Sequence, residues 1–338
     1  MTDLPAARRT TAPSLLAVGD PLLALLPTDA VPLDQARCLV PHVGGAELNT
    51  AIGVRRLGVA ATWLGRVGDD PLGRRVLRTL ADEGVDTSLA VVDEHAPTGL
   101  YLREWLPDGL RRPYYYRQDS AGSRLSEDDW PSPWPADLPV PTVLHVTGIT
   151  VALSSTARRA VRSMIAHATA LGCLISVDPN YRRPLWTDRD TAREALRELA
   201  AAADLLLLSE EDAELLFGTT ETPDVRQGVR ELGSGIAVFK RGPAGAVAWR
   251  GADEVDVPGE PATAVDPVGA GDGFNAGFLA ATMLGSDLVD AVRCGGWCGA
   301  RAVEQIGENT GYPRWDDLPG PLHEVFAHHK GEPWTTSR

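Results

Sequence analysis

Cysteine is scarce in this chain. Cys38, Cys173, Cys294 and Cys298 are the four among 338 residues, too few and too scattered for a disulfide framework. Cys294 and Cys298 stand four apart on an expected helix and share a face, yet no His, Cys or acidic cluster beside them completes a zinc set. Both are read as buried thiols, and a reducing cytoplasm is the expected compartment. Long apolar runs are missing as well, since none reaches the roughly 18 residues of a membrane span. Arg8-Arg9 followed by Ser14–Val18 and Leu22–Leu26 has the outline of an export signal. Gly19-Asp20-Pro21 interrupts its apolar part, so a disordered tail over 1–13 leading into a first strand is expected instead. Positive charge is in deficit. Against 32 Lys and Arg stand 46 Asp and Glu, a formal net charge of −14, which disfavours nucleic acid and anionic membrane surfaces as partners. Small anionic ligands respond to their local site and remain open.

What is present is an ordinary globular composition, 43% hydrophobic and 23% charged, in a chain long enough for a sizeable core. After Pro141, apolar strands alternate with helices. Val143–Val146, Leu174–Val177, Leu205–Leu208 and Ile236–Phe239 read as strands, and Ser155–Leu171, Thr191–Ala202 and Val225–Leu232 as helices. Upstream, Leu15–Val18 and Ala60–Val67 read as strands, and Leu48–Leu57 and Leu72–Glu83 as helices. This order predicts an α/β protein with a mostly parallel sheet covered on both faces. Leu100–Trp105 and Tyr114–Tyr116, joined across Asp108-Gly109, read as a hairpin standing off the body. No internal repeat or clear domain linker interrupts the chain.

The chemistry concentrates in Asp266-Pro267-Val268-Gly269-Ala270-Gly271-Asp272-Gly273-Phe274-Asn275-Ala276-Gly277-Phe278. Here a small-residue turn runs directly into an apolar helix, with Asp272 at its start. Free amides and the helix dipole attract phosphate at such a terminus. A carboxylate there is placed to take a proton from a hydroxyl beside that phosphate. The pattern suggests phosphoryl transfer to an alcohol; a turn that merely starts a helix is the plain alternative. It is no Walker A loop, for want of a Lys-Ser or Lys-Thr, and no dinucleotide fingerprint, for want of the spacing and the early position.

The segment 266–278 resembles the C-terminal signature of the ribokinase-like (PfkB) carbohydrate kinases. A looser match to their N-terminal signature is Gly44-Gly45-Ala46-Glu47-Leu48-Asn49 followed by Gly58 and Gly68-Asp69. Glu47 replaces the family's usual small residue. The resemblance runs from about Leu15 to Leu318. It implies a three-layer α/β/α domain over 14–325, with lid segments near 20–43 and 97–117 and a short tail over 326–338. It also implies Asp272 as catalytic base and Gly269, Ala270 and Gly271 as anion hole. Within the family the chain is most similar to 2-keto-3-deoxygluconate kinases, through Gly44–Asn49, Leu100–Glu104, Tyr115-Tyr116-Arg117 with Ser120–Ser123, and Asp178-Pro179-Asn180-Tyr181-Arg182 with Leu185-Trp186.

That similarity implies that Gly45, Asn49, Tyr101, Tyr115, Arg117 and Arg182 line a sugar-acid site. Asp20 and Glu308 are further candidates there, Asp20 equally readable as a turn residue. Lys240, Gly242, Gly245, Asn180 and Ser209 are implied beside ATP. The family's Asn-x-x-Glu metal motif appears as Ser209-x-x-Asp212, which makes Asp212 a candidate for holding Mg²⁺ through water; Glu211 and Glu214 are equally a solvated face. A monovalent cation is a further cofactor of such enzymes, and pairing of lids implies a homodimer or higher homo-oligomer. The residue types agree, because a sugar acid carries a carboxylate and Arg117 and Arg182 bring planar donors for it. Tyr101 and Tyr115 offer apolar cover and hydroxyls. Each Arg also reads as a structural ion pair and each Tyr as hairpin core. The competing functions are a kinase of a neutral sugar such as fructose or ribose, a non-catalytic sugar-binding protein on the same fold, and, more remotely, a nicotinamide-dependent dehydrogenase.

Overall fold

The structure, a computed structural model, describes residues 12–28, 31–106 and 111–327; the rest of the two expected tails lies outside the described residues. Eight strands form the main sheet, in the order Asp253–Val257, Ala246–Arg250, Ile236–Lys240, Leu205–Ser209, Leu174–Asp178, Val143–Thr147, Ser14–Val18 and Ala60–Leu64. The last six run parallel, and the first two add antiparallel at the edge. The parallel strands are continuous apolar runs because helices cover both faces. Leu205 and Leu207 face one core, while Leu206 and Leu208 face the other. The first core packs against helices Ala46–Arg56, Ala270–Met283 and Leu288–Ala302. The second packs against Ser155–Ala170, Arg189–Ala201, Glu210–Phe217 and Thr222–Leu232.

A separate four-stranded sheet, in the order Leu39–Gly44, Leu22–Pro27, Leu100–Trp105 and Arg111–Tyr116, forms the lid. Its small core is Leu22, Ala24, Leu26 and Tyr101. The apolar run Leu22–Leu26 is therefore lid strand.

One local expectation is corrected, and two further features emerge. Ala60–Val67 is not one strand: it divides at Gly65, and Arg66–Gly68 pairs with Val91–Asp93 in a small sheet of its own. The strands Ala246–Arg250 and Asp253–Val257 were not anticipated. Glu210, Glu211 and Asp212 open a helix, because Ser209 and Asp212 form a capping box.

The strand register sets the site. Asp178 pairs with Thr147, and Ser209 with Lys240. A polar row thus lies across the carboxyl ends of the parallel strands, where open α/β sheets bind ligands.

Candidate active site

Gly269 adopts φ 85°, and a Cβ there would lie 1.8 Å from the Glu308 carbonyl oxygen, so only glycine fits the turn. Helix Ala270–Met283 begins immediately after it. Gly271 and Asp272 fall in its first turn, where amides have no intrahelical partner. Asp272 is half-buried, and its Oδ2 accepts a 2.9 Å hydrogen bond from Asn49 Nδ2. Its carboxyl is pushed up to about 7, chiefly by burial; the charges of Asp178 and Glu308 add to this, while the Asn49 bond and Arg182 oppose it.

Asn49 projects from helix Ala46–Arg56 and joins three groups. Its Nδ2 also donates to Glu308 Oε2 at 3.0 Å, and its Oδ1 accepts from Asn309 Nδ2 at 2.8 Å. Asn309, which donates as well to the Val43 carbonyl at 2.9 Å, fixes the Asn49 amide so that its donor end faces Asp272. Glu308 is buried and accepts from Gly45 N–H at 3.2 Å and from the Tyr101 hydroxyl. A Cβ at Gly44 would sit 2.0 Å from Glu308 Oε2, so the Gly44-Gly45 pair makes room for that carboxylate.

Two residues on one face of the lid strand Leu100–Trp105 reach down to the body. Tyr101 donates to Glu308. Arg103 forms a buried two-pronged ion pair with Asp266, at 3.2 and 2.5 Å. Asp266 in turn accepts from the amides of Val268 at 3.3 Å and Gly307 at 3.1 Å. Arg103 thus ties the lid to the start of the glycine-rich turn that leads into helix Ala270–Met283. Neither Arg103, Asp266 nor Asn309 was assigned a site role from the sequence; only the quoted Leu100–Glu104 and Asp266–Phe278 matches pointed to the first two.

The two expected carboxylate-binding arginines differ. Arg117 is buried and paired with Asp20, with its guanidinium 5.7 Å from the centre of the Tyr115 ring. Asp20 is therefore no plain turn residue; burial raises its carboxyl even against the Arg117 charge. Arg182 is exposed just beyond the strand Leu174–Asp178, close enough for its charge to favour ionisation of both Asp272 and Tyr115. Tyr115 lies with its ring 5.4 Å from that of Tyr101. Glu47 is fully buried and accepts from Thr147 N–H and from the hydroxyls of Thr147 and Thr150. It joins helix Ala46–Arg56 to the strand end at Thr147.

Beside the turn at Gly269 lies a cleft of about 550 Å³ lined by Lys240, Gly242, Gly245, Ala270 and Gly271, together with Phe274 and the segment around Pro258. Lys240 Nζ donates to Asp178 Oδ2 at 2.8 Å and Asn275 Oδ1 at 3.0 Å. Burial raises the Asp178 carboxyl, but Lys240 and Asn275 outweigh it and hold it below the ordinary range. Asn180 takes φ 41° and donates its N–H to Asp178 Oδ1 at 2.9 Å.

Asp212, the candidate for holding Mg²⁺ through water, is engaged within the protein. Its carboxylate is fully buried and accepts from Tyr181 N–H at 2.8 Å, Ser209 N–H at 2.8 Å and the Ser209 hydroxyl at 2.6 Å. It braces the 180–181 turn and caps a helix. The Ser209 hydroxyl is engaged in the same cap. No group of three metal-ligating side chains forms among the described residues, and no described helix is long and apolar enough to cross a membrane.

A family model described as pfkB family carbohydrate kinase matches residues 15–315, and the chain belongs to that family. It is similar to a 2-dehydro-3-deoxygluconokinase of Thermoproteus tenax, at 35% identity over 308 residues, covering 89% of this chain and 91% of that one. It is also similar to a fructokinase of Escherichia coli, at 32% identity over 315 residues, covering 89% and 96%. Among solved structures, a fructokinase from Vibrio cholerae O395 in a fructose-, ADP- and calcium-bound form matches with TM-score 0.80 and 27% identity, covering 93% of this chain and 99% of that one. The chain is accordingly an ATP-dependent carbohydrate kinase, a phosphotransferase to an alcohol, with a ribokinase-like α/β/α fold.

Proposed function

We propose that the chain transfers the γ-phosphoryl group of ATP to the terminal hydroxyl of 2-keto-3-deoxygluconate or a closely related sugar acid. Asp272 removes the hydroxyl proton, the freed oxygen forms the new bond to phosphorus, and the bond from phosphorus to the β-phosphate oxygen breaks to release ADP. The first-turn amides at Gly269–Asp272 stabilise charge on the transferring group. Asn49 orients the base, and Glu308 with Tyr101 closes the floor of the site. Magnesium fits as an ion carried on the phosphates of ATP, because it keeps several waters and needs few protein ligands. When bound it neutralises phosphate charge.

Arg182 carries the sugar-acid reading. It is the exposed guanidinium whose charge reaches both Asp272 and Tyr115, while Arg117 is already neutralised by Asp20. The test is Arg182→Met assayed with 2-keto-3-deoxygluconate and with fructose. The expected result is a loss of roughly tenfold or more in kcat/KM confined to the acid; equal losses for both sugars contradict it. The Asp20–Arg117 pair supports a second reading, a kinase of a neutral sugar, because a neutralised pair serves hydroxyl groups as well as a carboxylate. Exposed Leu39, Val40, Tyr114 and Tyr116 on the lid support association of two copies through their lids.

A further inference from the structure

The cleft beside the phosphate loop holds two polar side chains in an otherwise apolar lining. Lys240 stands beside the turn before helix Ala270–Met283, its Nζ 3.8 Å from where a side chain on Gly271 would begin and turned inward to Asp178 and Asn275. Glu260 lines the same cleft, just past the strand Asp253–Val257. Glu260 is half-buried, and its Cγ lies 3.9 Å from where a side chain on Gly296 would begin, against helix Leu288–Ala302. Its carboxylate has no hydrogen-bond or ion-pair partner among the described residues. The rest of the lining is Gly, Ala, Val and Pro residues and the Phe274 ring, a slot suited to a flat ring, and with Lys240 already engaged by Asp178 and Asn275 its unpartnered polar side chain is Glu260.

The inference rests on ATP occupying this cleft with its phosphates at Gly269–Asp272, which leaves the part lined by Glu260 for the nucleobase. We propose that Glu260 selects the base of the phosphoryl donor by accepting a hydrogen bond from the exocyclic amine that adenine carries at C6 and cytosine at C4. Guanine and uracil present a carbonyl oxygen at that position, which a carboxylate repels. The enzyme therefore discriminates amino bases from keto bases rather than purines from pyrimidines.

Steady-state kcat/KM for ATP, GTP, CTP and UTP with one sugar tests this. The pair CTP and UTP is the sharpest, because ring size is equal and the amine is the principal difference. The wild type is expected to favour ATP over GTP and CTP over UTP by roughly tenfold or more each. In Glu260→Ala and Glu260→Gln both ratios should fall to within about twofold of one. Calorimetric titration with CDP and UDP, without sugar, supplies a readout independent of turnover, and CDP should bind at least about tenfold tighter in the wild type only. Equal use and binding of the cytosine and uracil nucleotides by the wild type, or ratios unchanged in both variants, overturns the assignment. Loss of all turnover with every triphosphate would instead count against the proposed reaction, and the diphosphate titration would still decide the role of Glu260.

Discussion

Replacing Asp272 with Asn should lower activity and raise stability at the same time. In the folded chain the carboxyl is pushed from an ordinary 3.8 to about 7, first by burial. That difference corresponds to about 4 kcal/mol against the charged form, an upper bound because the group keeps some contact with water. The native state therefore holds a proton that the unfolded chain releases between about pH 4 and 7, and the stability tied to this group falls as pH rises through that window. Asp272→Asn removes the charge while keeping an oxygen to accept from Asn49. Urea unfolding should show no gain for the variant near pH 4 and a gain of up to about 4 kcal/mol at pH 8. Turnover at pH 8 should drop by about 10²–10⁴, and wild-type kcat/KM should fall below about pH 7 as the base takes up its proton. Near-normal turnover in the variant, or a stability difference that does not grow with pH, would refute the assignment of Asp272 as a base held at a cost to the fold.

Arg103→Met leaves Asp266 buried without its cation, and urea unfolding should register a loss of about 3–5 kcal/mol with a fall in kcat as the phosphate loop loses its tie to the lid; a change below about 1 kcal/mol would mean that the pair does not hold the loop. Asp212→Ala removes a helix cap and a brace on the 180–181 turn, so a loss of about 1–2 kcal/mol is expected. The Mg²⁺ concentration needed for half-maximal rate should stay unchanged in that variant, whereas a metal-organising carboxylate would raise it.

The parts of this molecule legible in its sequence are those fixed by local rules. The turn at Gly269 follows from backbone sterics, and the alternation of apolar strands and helices after Pro141 follows from burial on both sheet faces. Both appear in the fold as expected. In Ser209-x-x-Asp212 a local capping rule and a functional motif share one spacing. The spacing is that of a capping box, and the structure uses it as one. Other parts depend on contacts between distant segments that no local pattern announces. Arg103 meets Asp266 across 163 positions, Arg117 meets Asp20 across 97, and Asn309 meets Asn49 across 260. The second of these bears on the substrate argument, because of the two readings open for Arg117, carboxylate donor or structural ion pair, the structure shows the ion pair. The edge strand Asp253–Val257 is hard to read locally because three acids stand among its five residues, and Ala246–Arg250 is a five-residue apolar run with no period that separates strand from buried helix.

The most direct test is a coupled ADP-release assay with Mg-ATP, comparing 2-keto-3-deoxygluconate with fructose and ribose at matched concentrations. A kcat/KM about 100-fold higher for the acid, roughly 2.7 kcal/mol of transition-state preference, is the predicted result. Faster turnover of fructose or ribose would leave Asp272 and the phosphate loop in place and contradict the sugar-acid assignment.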